Sequence, residues 1–159
     1  MSGDQNDYTD DYATCARTYA TLCIYREDLD PMAVSQELGI QPTRTQRRGE
    51  RSRSGRRPPT KIGGWFLTTK DVIESRDVRR HIDWLLDQFE IRVDAVKRLR
   101  TAGCRMVVNC YWQSASGHGG PMLCPATMGR LANLGFELWF DVYFFQSEDP
   151  EESGHAMVH

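Results

Sequence analysis

Alternation of hydrophobic and polar positions predicts four main β-strands along the chain. The segments are residues 18–25, 61–70, 104–113 and 136–145. All four are rich in β-branched and aromatic residues, which favour strands. In the first strand Ala20, Leu22 and Ile24 share one face. The last strand places five apolar side chains on one face: Phe136, Leu138, Phe140, Val142 and Phe144. Part of the polar segment before residue 61 is expected to pair with the second strand, as a hairpin with a long polar tip.

Helical spacing of apolar residues predicts four helices between these strands. The clearest covers residues 77–89, where Val78, Ile82, Leu85, Leu86 and Phe89 fall on one face. A short helix begins after Asp30, a good capping residue, and ends at Gly39. Two more cover residues 94–103, with Asp94 as cap, and residues 125–135.

The order of these elements, β-α-β-β-α-α-β-α-β, predicts an α+β fold. Its first part matches the split βαβ arrangement of ferredoxin-like folds, and the last helix and strand extend that sheet. We expect the helices to pack on one sheet face. His81 is expected at the boundary of the core. The tryptophans are expected in the core or at its boundary: Trp65, Trp84, Trp112 and Trp139.

The length of 159 residues and a hydrophobic content of 40% predict a single domain. We place its folded part at residues 17–145, between disordered acidic tails at residues 1–16 and 146–159. No apolar run approaches the roughly 20 residues of a membrane span, and the first residues do not resemble a signal peptide. Five cysteines without paired spacing predict reduced thiols and a cytoplasmic location.

Charge is concentrated in one segment, which changes the functional picture. Residues 41–61 hold seven arginines and one lysine against one glutamate, although the formal net charge of the chain is −2. We define residues 44–61 as the arginine loop. Its candidate partner-binding residues are Arg44, Arg47, Arg48, Arg51, Arg53, Arg56, Arg57 and Lys61.

Three interpretations of the arginine loop remain open. The first, our main hypothesis, is that it contacts an acidic protein, because the planar guanidinium suits carboxylates. The second is nucleic-acid binding, which needs Trp65 or Phe66 for base stacking because the loop contains no aromatic residue. The third is a solvated loop that screens the acidic segments at residues 4–11 and 148–152.

A glycine-rich loop is the candidate site for a small anion or an enzymatic function. It contains Gly117, His118, Gly119 and Gly120, but lacks the lysine and hydroxyl of a phosphate-binding P-loop. The spacing of Cys110, His118 and Cys124 is not that of a zinc site. Glu137 and Asp141 lie about 13 Å apart on a strand, too far for a shared-proton pair. We therefore expect no catalytic residue, no metal and no cofactor, and interpret Asp141 as structural.

Several segments in a fixed order resemble the bacterial family called domain of unknown function 4279. The matching strings are LDPMAVSQELGIQPTRTQRRGE, GGWFLTT, HIDWLLDQF and LANLGFELWFDVYF. The resemblance covers most of residues 18–145 and implies a fold, without an activity or a catalytic residue. The arginine-rich insert of this chain is longer than the resemblance leads us to expect.

Overall fold

The fold was obtained as a computed structural model, which describes residues 7–144. Within them, five strands form one mixed sheet in the order β2-β3-β1-β4-β5. Their bounds are Cys15–Arg26 for β1, Arg44–Gln46 for β2, Gly63–Thr68 for β3, Arg105–Ser114 for β4 and Glu137–Tyr143 for β5. The four helices are α1, Pro31–Leu38; α2, Val78–Glu90; α3, Val93–Thr101; and α4, Pro125–Leu134.

The sheet confirms the predicted α+β class. β1 is antiparallel to both β3 and β4, and β2 forms an antiparallel hairpin with β3, so the first four strands have the split βαβ order. β5 pairs in parallel with β4 after the α4 crossover and extends the sheet. None of the helices in residues 7–144 is long and apolar enough to cross a membrane.

Local capping explains where the helices begin and end. The Asp30 carboxylate accepts the Met32 N–H at 3.1 Å, and Gly39 ends α1 with a φ of 65°. Asp77 caps α2 in the same way, through the Arg79 N–H at 3.0 Å. The predicted cap of α3 was wrong: Arg92 occupies the capping position, and Asp94 lies in the first turn of the helix.

The core lies between the helices and the sheet face that carries Ala20, Leu22 and Ile24. Trp65 and Trp112 are fully buried there. The prediction for Trp139 was wrong, because its side chain is 56% exposed. β5 is an edge strand, and the odd-numbered residues of β5 point to the sheet face opposite the helices.

His81 is also more buried than predicted and lies fully inside the core. Its Nε2 lies 2.8 Å from the Ser75 carbonyl oxygen, which only accepts, so Nε2 carries the proton. Nδ1 then accepts the Thr69 hydroxyl at 2.6 Å. Burial lowers the pKa of the imidazole. His81 therefore links α2 to the end of β3 as a neutral ring.

The predicted disordered tail at residues 1–16 extends too far along the chain, because residues 7–14 lie against the domain. The Tyr8 hydroxyl donates to Asp83 at 2.8 Å, and the Thr9 N–H donates to Asp77 at 2.9 Å. β1 begins at Cys15, earlier than predicted. Residues 1–6 and the predicted tail at residues 146–159 lie outside the described residues.

Candidate functional site

The arginine loop begins with β2 and leads from it to β3 at one end of the sheet. At this end Gln46 pairs with Gly64, and Arg26 pairs with Gly63. The loop is closed at its base by two backbone hydrogen bonds, from the Gly49 N–H to the Thr60 carbonyl at 2.8 Å and from the Thr60 N–H to the Glu50 carbonyl at 2.9 Å. The base of the loop is therefore an ordered extension of the hairpin.

Arg47 and Arg48 are held by acidic residues of the turn between β1 and α1. The Arg47 guanidinium lies 3.0 Å from the Asp30 carboxylate. Arg48 lies 2.7 Å from Glu27 and 3.3 Å from Asp28. All five side chains are more than half exposed, so each pair contributes only about 0–1 kcal/mol to folding. These contacts orient the base of the loop more than they stabilise the domain.

The internal partners of the loop differ from those considered in the sequence. The third interpretation of the sequence has the loop screen the acidic segments at residues 4–11 and 148–152. In the fold, the acidic residues that pair with its arginines are instead Glu27, Asp28 and Asp30. Asp10 of the first segment instead pairs with Arg80 at 2.7 Å. Residues 148–152 lie outside the described residues.

Arg44 lies in β2 and covers an aromatic ring. Its guanidinium carbon is 4.0 Å from the ring centroid of Phe66, a cation–π contact. Phe66 is only 5% exposed and also packs edge-to-face against Tyr25. Arg44 is therefore engaged in packing on the sheet face that the helices leave open.

The remaining cations of the loop are exposed and make no hydrogen bond, ion pair or ring contact to any of residues 7–144. We call them the outer cations: Arg51, Arg53, Arg56, Arg57 and Lys61. Between them the chain turns at Gly55, whose N–H donates to the Ser52 carbonyl at 2.9 Å. The loop thus divides into a paired base and an unpaired outer part of like charge.

A shallow groove lies beside the base of the loop. Its volume is about 530 Å³, and its lining includes Met32 and Ser35 of α1 together with Thr45 and Arg47. The Met32 side chain is 65% exposed there. The exposed helix surface and the paired arginine thus form one side of a concave surface at the base of the arginine loop.

The glycine loop uses several of its polar groups internally. The Ser114 hydroxyl accepts the Gly117 N–H at 2.9 Å and donates to the His118 carbonyl at 2.8 Å. The Gly120 carbonyl accepts the Tyr12 hydroxyl at 2.9 Å. Gly119 has a φ of 89°, and a Cβ placed on it would lie 2.5 Å from the Thr14 side chain. These contacts dock the loop on the segment before β1.

The three residues whose spacing was weighed against that of a zinc site are Cys110, His118 and Cys124. Cys110 is fully buried, and burial raises its pKa far above the ordinary thiol value. Cys124 lies at the start of α4 and hydrogen-bonds the Thr127 hydroxyl, whereas His118 faces Ser116. Residues 7–144 contain no group of three or more histidine, cysteine or acidic side chains that could hold a metal ion.

The sequence did not reveal a stack of tyrosines on the open sheet face. Tyr19 stacks on Tyr111 with ring centroids 4.9 Å apart, and Tyr111 stacks on Tyr143 at 4.8 Å. The rings come from three strands, β1, β4 and β5. Alternation placed each residue on a strand face, but no sequence pattern shows which strands are neighbours.

Comparison with known proteins gives one match. The family described as Domain of unknown function (DUF4279) matches residues 16–145. No curated protein and no solved structure matches the chain.

Proposed function

Since the chain belongs to the family described as domain of unknown function (DUF4279), whose description assigns no activity, we propose a function from its geometry. In this proposal the protein is a non-catalytic binding domain that contacts an acidic surface on another protein through the outer cations of the arginine loop. The observation that carries the proposal is that five exposed cations lack any partner in residues 7–144, on a loop whose base is pinned.

Pinning of the base supports binding by the outer cations. The hydrogen bonds of Gly49 and Thr60, with the Arg47–Asp30 pair, fix where the loop leaves the sheet. Less conformational entropy is then lost on binding than with an unattached chain. Guanidinium groups donate paired hydrogen bonds to carboxylates, which gives geometry as well as charge.

Burial of the nearby aromatic rings favours protein over nucleic acid as the partner. Base stacking by the loop needs Trp65 or Phe66, but Trp65 is fully buried and Arg44 covers Phe66. On the open sheet face, the tyrosine rings stack on one another. An acidic protein needs no free ring face, and the groove beside Met32 offers it an apolar contact.

The test is fluorescence anisotropy with labelled probes: a poly-glutamate peptide, a single-stranded oligonucleotide and a double-stranded oligonucleotide. At about 0.15 M salt we expect binding to poly-glutamate that exceeds binding to either oligonucleotide. Replacing Arg51, Arg53, Arg56 and Arg57 by glutamate should abolish it. The matched variant with lysine at these four positions should keep part of it, because charge remains but the planar fork is lost.

A second control separates the base of the loop from its outer part. Arg47→Gln with Arg48→Gln removes the paired cations and should leave most of the binding. Tighter binding of the oligonucleotides would replace the proposal by nucleic-acid binding. Absence of binding to every probe at low salt would leave the loop as a solvated insert.

The cysteines support a cytoplasmic location as part of the same proposal. All five are unpaired, and four of them are buried: Cys15, Cys23, Cys104 and Cys110. Free thiols persist in reducing compartments. Mass spectrometry after rapid alkylation in cells should find all five reduced, and a native disulfide would contradict the location.

A further inference from the structure

The first part of β1 has a strand partner on one side only. β4 pairs with almost all of β1, whereas β3 pairs only with residues 21–26. β3 stops there because the chain turns after Thr69, whose carbonyl accepts the Val72 N–H at 3.0 Å. Among residues 7–144, no strand therefore lies beside the start of β1 on the β3 side.

Thr18 directs its backbone toward this unpaired side. The Ala20 N–H donates to the Thr69 hydroxyl at 3.0 Å, and the Ala20 carbonyl accepts the Thr69 N–H at 2.9 Å. Alternate residues of an antiparallel strand point their N–H and C=O groups to the same side, so those of Thr18 also point away from β4. Thr18 is only 5% exposed, and neither group has a partner among residues 7–144. Buried backbone groups are nearly always paired, so these two need a partner from elsewhere.

A cavity of about 710 Å³ opens beside Thr18, between the start of β1 and the loop that leads from β3 to α2. Its volume is typical of a pocket for a small ligand. His81 fixes both ends of the loop, because its ring binds the Thr69 hydroxyl at 2.6 Å and the Ser75 carbonyl at 2.8 Å. One wall of the cavity is therefore set before a ligand binds, which lowers the entropic cost of binding.

Three cations line the cavity without an ion pair to any of residues 7–144: Arg17, Lys70 and Arg76. The Arg17 guanidinium carbon and the Lys70 Nζ lie 5.7 Å and 5.6 Å from the centroid of the same ring, that of Tyr19. Two like charges held at one ring repel each other. A carboxylate that binds between them would offset this repulsion.

Three carboxylates also line the cavity, so its lining is not positive overall: Asp10, Asp71 and Glu74. Asp10 is already paired with Arg80 at 2.7 Å. A polyanion such as a nucleotide would meet the other two carboxylates as well as the cations. A ligand with a single carboxylate and several N–H groups suits charges of both signs.

We propose that this cavity binds the C-terminal end of an extended peptide. The peptide backbone pairs with the N–H and carbonyl of Thr18 as an added strand in line with β3, and the terminal carboxylate lies between Arg17 and Lys70. Strand addition and capture of a chain terminus are both established modes of peptide recognition. At about 3.3 Å per residue, the stretch from Cys15 to Tyr19 has room for about three peptide residues.

This site is separate from the surface discussed under the proposed function. The arginine loop leaves the sheet where Arg26 pairs with Gly63, whereas the cavity lies beyond the other end of β3, where Thr21 pairs with Thr68. Peptide binding in the cavity therefore does not depend on the outer cations.

The test is two-dimensional NMR of the nitrogen-15-labelled full chain during titration with N-acetyl-trialanine. The methyl side chains of this peptide leave main-chain pairing and the terminal carboxylate as its main contacts. We expect saturable shifts centred on the Thr18 amide. The same tripeptide with a C-terminal amide should bind at least about tenfold more weakly, because the charge-assisted hydrogen bonds are lost.

Two matched variants locate the carboxylate. Arg17→Gln with Lys70→Gln should reduce the affinity for the acid to that for the amide. Arg53→Gln with Lys61→Gln makes the same chemical change at two outer cations and should leave the titration unchanged. Signal dispersion in the same spectra shows that each variant is folded, and the comparison of acid with amide needs no variant at all.

Three results would contradict the proposal. The first is an unshifted Thr18 amide at about 10 mM tripeptide. The second is equal affinity for the acid and the amide in the original protein, which would mean that the carboxylate makes no contact. The third is tighter binding of inorganic phosphate than of the tripeptide, lost in the variant of Arg17 and Lys70, which would replace the peptide by a phosphate ligand.

Discussion

One carboxylate oxygen of Asp30 binds both the backbone of α1 and the side chain of Arg47. The Met32 N–H donates to this oxygen at 3.1 Å, and the Arg47 guanidinium lies 3.0 Å from it. The start of the first helix and the base of the arginine loop are thus fixed at the same atom. The position of the candidate binding surface therefore depends on a helix cap.

The double role of Asp30 predicts a graded series of stabilities. Asp30→Ala loses both the cap and the ion pair and should cost about 1–2 kcal/mol. Asp30→Asn keeps a capping oxygen and should cost at most about 1 kcal/mol, close to the cost of Arg47→Gln. Urea unfolding at low and high salt measures this series. Since the pair is exposed, the cost of Arg47→Gln should shrink at high salt. Equal costs for Asp30→Ala and Asp30→Asn would contradict the cap.

The buried His81 predicts a loss of stability in mild acid. Burial lowers its pKa in the folded state below the unfolded value of about 6.5. Folding then favours the neutral ring, so this contribution is fully present above pH about 6.5 and is lost as pH falls through the folded pKa. The free energy of unfolding, measured by denaturant titration, should decrease as pH falls below about 6.5.

His81→Gln provides the control for this prediction. The variant should be less stable at pH 7, because it disrupts the contacts with Thr69 and Ser75, but its stability should change less over the same pH range. Asp77 also has a lowered pKa in the folded state, so its contribution is lost only at lower pH, as the solution becomes acid enough to protonate it. An unchanged slope in His81→Gln would assign the pH dependence to other groups.

Cysteine reactivity should distinguish Cys124 from the other four thiols. Hydrogen bonding to Thr127 lowers the pKa of Cys124, and its side chain is partly exposed. Burial raises the pKa of Cys15, Cys23, Cys104 and Cys110. Because the thiolate is the reacting form, iodoacetamide should label Cys124 first.

Peptide mass spectrometry over a time course measures the labelling. Cys124→Ser should remove the fast phase and leave the slow one. Labelling of all five cysteines at one rate would show that the native fold opens before it reacts.

The glycine loop predicts different costs for three alanine substitutions. Gly117→Ala meets a φ of 80° in open space, whereas Gly119→Ala meets both a φ of 89° and the Thr14 side chain. Gly120→Ala meets neither. Thermal melts should therefore rank Gly119→Ala as the most destabilising, Gly117→Ala next at about 1–2 kcal/mol, and Gly120→Ala near neutral.

The same variants examine the small-anion hypothesis for this loop. Heat stabilisation by phosphate that Gly120→Ala removes without a change in intrinsic stability would support an anion site. A Gly119→Ala variant as stable as the original protein would show that the loop does not pack on Thr14 as described.

Local sequence determined the elements of this fold. Alternation identified the inward faces of the strands, since side chains of a strand point to opposite sides. Asp30 and Gly39 marked the first helix, because capping and left-handed backbone are properties of single residues. Family resemblance, the α+β class and the place of the arginine loop also followed from the sequence.

The tertiary structure decided which charged residues are paired and which aromatic and histidine side chains are buried. In the sequence, Arg47 and Arg48 cannot be distinguished from Arg51 and Arg53. In the fold, the turn between β1 and α1 places three acidic residues beside Arg47 and Arg48: Glu27, Asp28 and Asp30. Likewise, the exposure of Trp139 follows from the position of β5 at the sheet edge, and the burial of His81 from the end of β3. Periodicity depends on neighbours within a few residues, whereas ion pairing and burial depend on segments that only the folded chain brings together.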